Sequence, residues 1–365
     1  MIPINDLTRG IAQSDEASAA ISRVLKSGYW IHGPEHAAFE REFAKFLNVD
    51  HVLGVASGSD ALEIALRAVG CKPGSKIITV SNAGGYTPIA AASIGCEVIY
   101  CDVDSEKLLI DPIALAPLLS KEISAVIVTH LYGNVAPITV IKGMCDEFGI
   151  SVIEDCAQAT GGSEDGVRVG GIGHVGTFSF YPTKNLGAIG DGGALATNNP
   201  EIAQKISHLR QYGWTSKYKI DITGGMNSRL DEIQAAVLRI GIPILDSMNQ
   251  KRLKIIEGYS EAIRESSIRL ITSHHPGNVA HLAVFEVPKH LDRSKLRNYL
   301  KQHEIQTDIH YPILDIDQKG LIPSEVATDQ SNSRRASELI LTIPLFPELT
   351  DSEIARIAQA LRSYN

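Results

Sequence analysis

Between residues 51 and 162 the chain alternates short apolar runs with helical patterns, and this alternation most limits what it can become. HVLGVA (51–56), KIITV (76–80), EVIYCDVD (97–104), AVIVTHLYG (125–133) and SVIEDCAQATGG (151–162) read as strands. Helical patterns separate them, with ALEIALRAVG at 61–70 and further helices leading to 95, over 111–119 and over 137–148. Runs that are apolar at nearly every position cannot have one face in water. They call for a mostly parallel sheet covered by helices on both faces, an α/β fold. Ligands of such sheets sit at the carboxyl ends of the strands. Tyr86, His130, Asp155 and Lys184 all lie at or just beyond strand ends, so they are expected to meet in one cleft.

The flanks differ. Helices are expected over 14–27, with Ala17, Ala20, Ile21, Val24 and Leu25 on one side, and over 35–47, split by SGYWIHGP. A helix over 199–210 precedes an irregular stretch of about twenty residues. A long helical run follows, interrupted near Gly241 and Pro243. Beyond it, strands are expected at 267–271 and 281–287, and helices at 291–303, 333–341 and 351–362. Two domains are expected: residues 1–244, a large body with an N-terminal helical arm, and residues 245–365, a smaller α/β unit. The formal charge of −8 argues against a nucleic-acid partner, because phosphate backbones attract Lys- and Arg-rich surfaces. MIPINDLTRG lacks the charged-then-apolar pattern of a signal peptide, and no apolar run reaches the roughly 18–20 residues of a membrane span. A cytoplasmic protein with no membrane partner is expected. The five cysteines form no CxxC pair and read as reduced thiols, Cys156 as a core residue.

GTFSFYPTKNLGAIGDGGA (176–194) carries the chemistry. It places Lys184 between two expected strands, Thr177–Tyr181 and Ala194–Thr197, on a loop with Gly187, Gly190, Gly192 and Gly193. On local pattern a solvated turn lysine fits equally well. GGIGHVG (170–176) contains GxGxxG, but a strand rather than a helix follows it, so it reads as a turn and not a dinucleotide site. HExxH, Cys/His clusters and GxSxG are absent, which leaves no candidate metal centre and no serine-hydrolase elbow. What remains is a lysine with a carboxylate. A lysine in a covered cleft can have its pKa lowered and form a Schiff base with an aldehyde cofactor. Pyridoxal phosphate also needs a carboxylate at its ring nitrogen. Asp155 is suitably placed, whereas Glu154 faces the opposite side of the strand and reads as part of a polar network. Tyr86 is a candidate to stack on the ring. The phosphate would take the helix start at Gly58 and Ser59, capped by Ser57 or Ser59, together with Ser179.

These residues make the chain resemble the DegT/DnrJ/EryC1/StrS family of nucleotide-sugar aminotransferases, within the fold type I (aspartate-aminotransferase-like) pyridoxal-phosphate enzymes. The resembling pieces are SGYWIHGPEHAAFEREFAKFL, VASGSDALEIAL, EDCAQATGG, GTFSFYPTKNLGAIGDGGA, QYGW and MNSRLDEIQAA, which span nearly the whole chain. The resemblance implies that Lys184 is the Schiff-base and proton-moving lysine and that Asp155 is the partner of the ring nitrogen. It places Gln158 near the phenolic oxygen, Gly58, Ser59 and Ser179 at the phosphate, and Tyr86 over the ring. It implies that Asn227 reaches the phosphate of the neighbouring subunit, so that a homodimer shares its active sites, with Arg229 supporting that segment.

The implied substrates are L-glutamate and a keto sugar on a nucleoside diphosphate. HLYG (130–133) and AGGYT (83–87) resemble the versions in dTDP-3-keto-6-deoxyhexose aminotransferases, which implies amination at C3; a C4 aminotransferase is the alternative. His130, Tyr181, Arg229, His310 and Tyr311 are the implied substrate-side residues. EIQTDIHYPILDIDQKG resembles the family's substrate loop but departs from it around Leu314, Asp315 and Asp317. Related sugar dehydratases carry histidine in place of the lysine, which Lys184 argues against. A non-catalytic ligand-binding or regulatory relative is the alternative from another class.

Overall fold

Residues 125–129 alternate their side chains between two packed layers, which sets the architecture. Ala125 and Ile127 join one core with Ile64, Leu66, Ala91 and Ile206, while Val126 and Val128 join another with Leu115, Ile138 and Ile141. A strand buried on both faces must be apolar throughout. The computed structural model describes residues 1–11, 14–321 and 325–364.

The main sheet contains β1 (His51–Val55), β2 (Lys76–Val80), β3 (Glu97–Cys101), β4 (Ile123–Thr129) and β5 (Ser151–Asp155). A hairpin of β6 (Ser163–Glu164) and β7 (Val167–Arg168) then precedes β8 (Val175–Ser179) and β9 (Gly193–Thr197). The spatial order is β1-β9-β8-β5-β4-β2-β3, with β14 (Glu325–Val326) at the far edge. Pairings from β8 through β5, β4, β2 and β3 to β14 are parallel, and those of β9 with β8 and β1 are antiparallel. Helices α1 (Asp15–Ser27) and α2 (Pro34–Leu47) form the N-terminal arm. Helices α3 (Gly58–Ala68) and α4 (Tyr86–Ile94) cross over between β1, β2 and β3. Short α5 (Pro112–Leu115) and then α6 (Ile138–Asp146) lie on the other face.

After α7 (Pro200–Leu209), a small hairpin of β10 (Trp214–Ser216) and β11 (Lys219–Ile220) occupies the irregular stretch. The long helical run resolves into α8 (Glu232–Gly241), a 3-10 turn at Ile242–Ile244 containing Pro243, and α9 (Leu245–Ala262). The C-terminal part builds a three-stranded antiparallel sheet, β12 (Arg269–Leu270), β13 (Ala283–Glu286) and β15 (Ile340–Ile343). Around its core, which includes Ile256, Tyr259 and Phe285, pack α9, α10 (Arg293–Gln302) and α12 (Asp351–Ser363). The helix expected to run to residue 341 stops earlier. Helix α11 (Ser331–Leu339) gives way to Ile340–Ile343, which is buried at all four positions and pairs with β13 instead. The strand in SVIEDCAQATGG ends at Asp155, on its two adjacent carboxylates as expected, and the chain turns through Cys156 and Gln158.

Candidate active site

The parallel register decides which strand-end residues share a side. Thr129 pairs with Asp155, and Asp155 with Thr177. All three line a cavity of about 710 Å³ at the carboxyl ends of β4, β5 and β8, a volume typical of small-molecule sites. The cavity also takes in Gly58, Ser59, Tyr86, Gln158, Ser179, Tyr181, Lys184, His310 and Tyr311. Most of the residues singled out from the sequence therefore meet in one place.

Lys184 stands on a pinned loop. Its amide donates to Tyr181 O at 2.8 Å, Phe180 and Gly192 bond across the loop base, and Ala188 returns to Phe180 O. Asn185 Nδ2 reaches Asn249 Oδ1 and Val279 O, and Gln234 Oε1 accepts from Ile189 N. The lysine keeps partial solvent exposure because the cavity is open, yet its ammonium is closely surrounded. Burial pushes its pKa down to about 8, and Asp155 opposes that. His281 lines the same wall, its ring nitrogen 2.9 Å from Asn185 Oδ1, and burial keeps its imidazole well below its ordinary pKa. It therefore adds no positive charge beside the lysine.

Asp155 is buried, and burial raises its carboxyl above the ordinary value. The Ala157 amide, 3.1 Å from Oδ1, and the Lys184 charge favour the carboxylate. Gln158 is fixed at both ends: its Oε1 accepts from Tyr132 N at 2.8 Å and its Nε2 donates to the Tyr311 hydroxyl at 3.1 Å. Tyr132 OH in turn donates to His310 O at 2.6 Å.

The anion end is the start of α3. Ser57 is the N-cap, its hydroxyl accepting from Asp60 N, which leaves the amides of Gly58 and Ser59 free to face the cavity. A Cβ at Gly58 would come within 2.6 Å of Ser179 Cβ, so only glycine lets the helix start approach β8. A lysine of lowered pKa, a buried carboxylate opposite it and a helix start with free amides fit pyridoxal phosphate in donor chemistry.

Three predicted residues lie elsewhere. His130 is fully buried and does not line the cavity, which corrects its expected substrate role. Its Nδ1 accepts from Ala136 N at 3.0 Å, so its Nε2 carries the proton and donates to Glu154 Oε2 at 3.2 Å. The pleat explains this: Thr129 faces the cavity, so the next residue turns away. Glu154 also accepts from the amides of Gly170 (2.8 Å), Ile172 (2.9 Å) and Gly173 (2.6 Å). The glycine-rich segment is thus an anion cradle whose anion is the chain's own Glu154. Cys156 lies close to this pair, but both His130 nitrogens and both Glu154 oxygens already have protein partners. Asn227 is exposed and outside the cavity, its Oδ1 held by Arg229 Nε at 2.8 Å. Arg229 likewise does not line this chain's cavity.

Thr129, His281, Asn5, Gln306 and Asp308 also stand on the cavity wall, and sequence reasoning missed them. Asn5 and Gln306 arrive together because Ile2 pairs with Ile305 and Ile4 N donates to Gln306 Oε1 at 3.1 Å. Strand-end parity could have found Thr129; nothing local marks the others.

Residues 12–362 match the DegT/DnrJ/EryC1/StrS aminotransferase family. The dTDP-3-amino-3,4,6-trideoxy-alpha-D-glucose transaminase of Streptomyces venezuelae is 36% identical over 354 residues, 96% of this chain and 92% of that protein. The dTDP-3-amino-3,6-dideoxy-alpha-D-galactopyranose transaminase of Aneurinibacillus thermoaerophilus is 37% identical over 366 residues, 100% and 99% of the two chains. The crystal structure of S. venezuelae DesV in complex with a ketimine intermediate superposes with a TM-score of 0.92 at 34% identity, covering 100% of this chain and 98% of the other. The chain belongs to the DegT/DnrJ/EryC1/StrS aminotransferase family and is a pyridoxal-phosphate-dependent α/β enzyme.

Proposed function

We propose that the protein moves the amino group of L-glutamate to C3 of a dTDP-linked 3-keto-6-deoxyhexose, giving a dTDP-3-amino-3,6-dideoxyhexose and 2-oxoglutarate. The observation that carries this is Lys184, a cavity lysine with its pKa lowered to about 8, opposite the buried Asp155. The names of both curated relatives above place the sugar's amino group at C3, which supports the regiochemistry.

When bound, pyridoxal phosphate supplies an aldehyde that takes up the amino group and a ring that withdraws electrons. Asp155 would hold the proton on the ring nitrogen. Gln158, locked between Tyr132 and Tyr311, orients its amide toward the phenolic side. Gly58, Ser59 and Ser179 would receive the phosphate, and Tyr86 would cover the ring. Burial lowers the Lys184 pKa to about 8, which favours its neutral form, and its Nζ would accept a proton and return it to the carbon receiving the amine. Tyr181, His310 and Tyr311 line the side where the sugar would enter.

We further propose a cytoplasmic homodimer with shared sites, in which residues 1–244 form the cofactor-binding body and 245–365 the smaller domain. Asn227 would serve the partner's phosphate, with Arg229 holding it. Ser228 lies beside it, bonding Asp60 at the start of α3. Tyr29, Trp30 and Ile31 are exposed next to this segment, through the Ile31–Asp231 bridge, as an apolar interface would be. Among the described residues no helix is long and apolar enough to cross a membrane.

The test is a substrate panel pairing glutamate with nucleoside-diphosphate 3-keto and 4-keto 6-deoxy sugars, products read by mass and NMR. Turnover confined to 4-keto sugars refutes the C3 assignment. Absence of any turnover, with no spectral response of the cofactor to glutamate, favours a non-catalytic relative.

A further inference from the structure

Behind the cavity, the substrate-side loop and the loop after β2 are built into each other. Asp315 N donates to Ser81 O at 2.8 Å. The Tyr311 ring lies against Gly84, where a Cβ would stand 2.8 Å from Tyr311 Cζ. Gly84 and Gly85 both have positive φ, +82° and +84°, so two successive amides turn toward one side at the mouth of α4. Helix α4 has nine residues, begins at Tyr86 and has no side-chain cap of its own, its N-cap being Gly85.

Asp315 faces that mouth. It is 2% exposed, and neither carboxylate oxygen has a donor at full hydrogen-bond geometry. The amides of Gly85 and Gly84 are the groups that favour its charged form, against burial that raises the carboxyl to about 7. A carboxylate at a helix start is also stabilised by the helix dipole. The chain uses this device in full elsewhere: Glu232, 1% exposed, accepts from the amides of Gly33, Glu35 and His36 at 2.8–2.9 Å and so caps α2 from a distant helix.

We propose that Asp315 is a positioning residue: it caps α4 from across the chain, so that the loop carrying His310 and Tyr311 and the helix start carrying Tyr86 move as one unit. This rests on the placement of Tyr86 against the cofactor ring. Its consequence is that sugar-side and cofactor-side contacts are not independent. A substitution on the substrate loop reaches the ring without touching it.

The test is hydrogen exchange on the full-length protein, with and without pyridoxal phosphate, comparing the parent with Asp315→Leu and Asp315→Asn. Removing the cap in Asp315→Leu should speed exchange about tenfold in the segment 83–90 as well as in its own loop, and weaken pyridoxal phosphate binding measured by absorbance titration. Asp315→Asn keeps one acceptor oxygen in place and should recover most of both. Unchanged protection of 83–90 in both variants overturns the proposal. If Asp315→Leu does not fold, Asp315→Ala takes its place in the same comparison, and unchanged protection of 83–90 in that variant refutes the cap. Tyr86→Ala measured alongside separates the two ideas: full cofactor affinity in that variant refutes ring stacking, and the exchange result still decides the cap.

Discussion

Glu154→Gln is the most informative single change, because its cost can be counted from the structure. Each carboxylate oxygen accepts two donors: Oε1 from Ile172 N and Gly173 N, Oε2 from Gly170 N and His130 Nε2. An amide places an NH2 at one of these positions, so whichever way it turns, two buried or part-buried donors lose their acceptor. His130 cannot rescue the pair by changing tautomer, because its Nδ1 is already the acceptor of Ala136 N. A stranded buried donor costs about 1–3 kcal/mol, so two give a destabilisation of about 4 kcal/mol. With a urea slope of about 3 kcal/mol per molar, the unfolding midpoint should fall by about 1 M. The assay is urea unfolding followed by far-UV circular dichroism, at one protein concentration and without added cofactor, so that neither dimerisation nor binding shifts the comparison. A midpoint within about 0.3 M of the parent would refute the view that this carboxylate holds the 170–173 loop.

Lys184→Ala should abolish multiple-turnover transamination, a loss of at least about 10²–10⁴-fold, and turnover at the parent rate would sink the mechanism. Uptake of pyridoxal phosphate by the cofactor-free enzyme should rise with pH and level off above about 8, because the neutral amine is the reactive form. Asp155→Asn removes the group that holds that pKa up, so its midpoint should move lower; a parent midpoint at about 10, near the ordinary lysine value, contradicts the assignment. In mixed dimers of Lys184→Ala and Asn227→Ala chains, random pairing should restore about a quarter of the sites, whereas no complementation argues against a phosphate contact from the neighbouring subunit. Phe43→Ala should cost about 3–5 kcal/mol in chemical unfolding, since the fully buried ring packs edge-on against Phe178 and Phe180; a loss under about 1 kcal/mol would contradict that packing.

The sheet is legible in the sequence because its strands are buried on both faces and helices must separate parallel neighbours, so pattern and topology carry the same information. Lys184 and Asp155 are legible because their chemistry needs particular residue types at or just beyond strand ends, and Gln158 only through the family resemblance. His130 misleads because a strand end does not say which side the next residue takes, and that parity appears only when Thr129 is set opposite Asp155. The start of Ile340–Ile343 reads as helix because four buried residues directly after α11 show no alternation to mark a strand. Asn5, Gln306 and Asp308 are invisible for another reason. Their meeting depends on a pairing between residues about three hundred positions apart, which no local pattern reports.

That pairing also bears on the order of synthesis. Ile2 is made about three hundred residues before its partner Ile305. The main sheet apart from β14, and Lys184 with it, can form beforehand, but the wall containing Asn5, Gln306 and His310 cannot. During translation the cavity therefore stands open on the side that Asn5, Gln306 and His310 line, and closing it waits until residues 305–310 have been made.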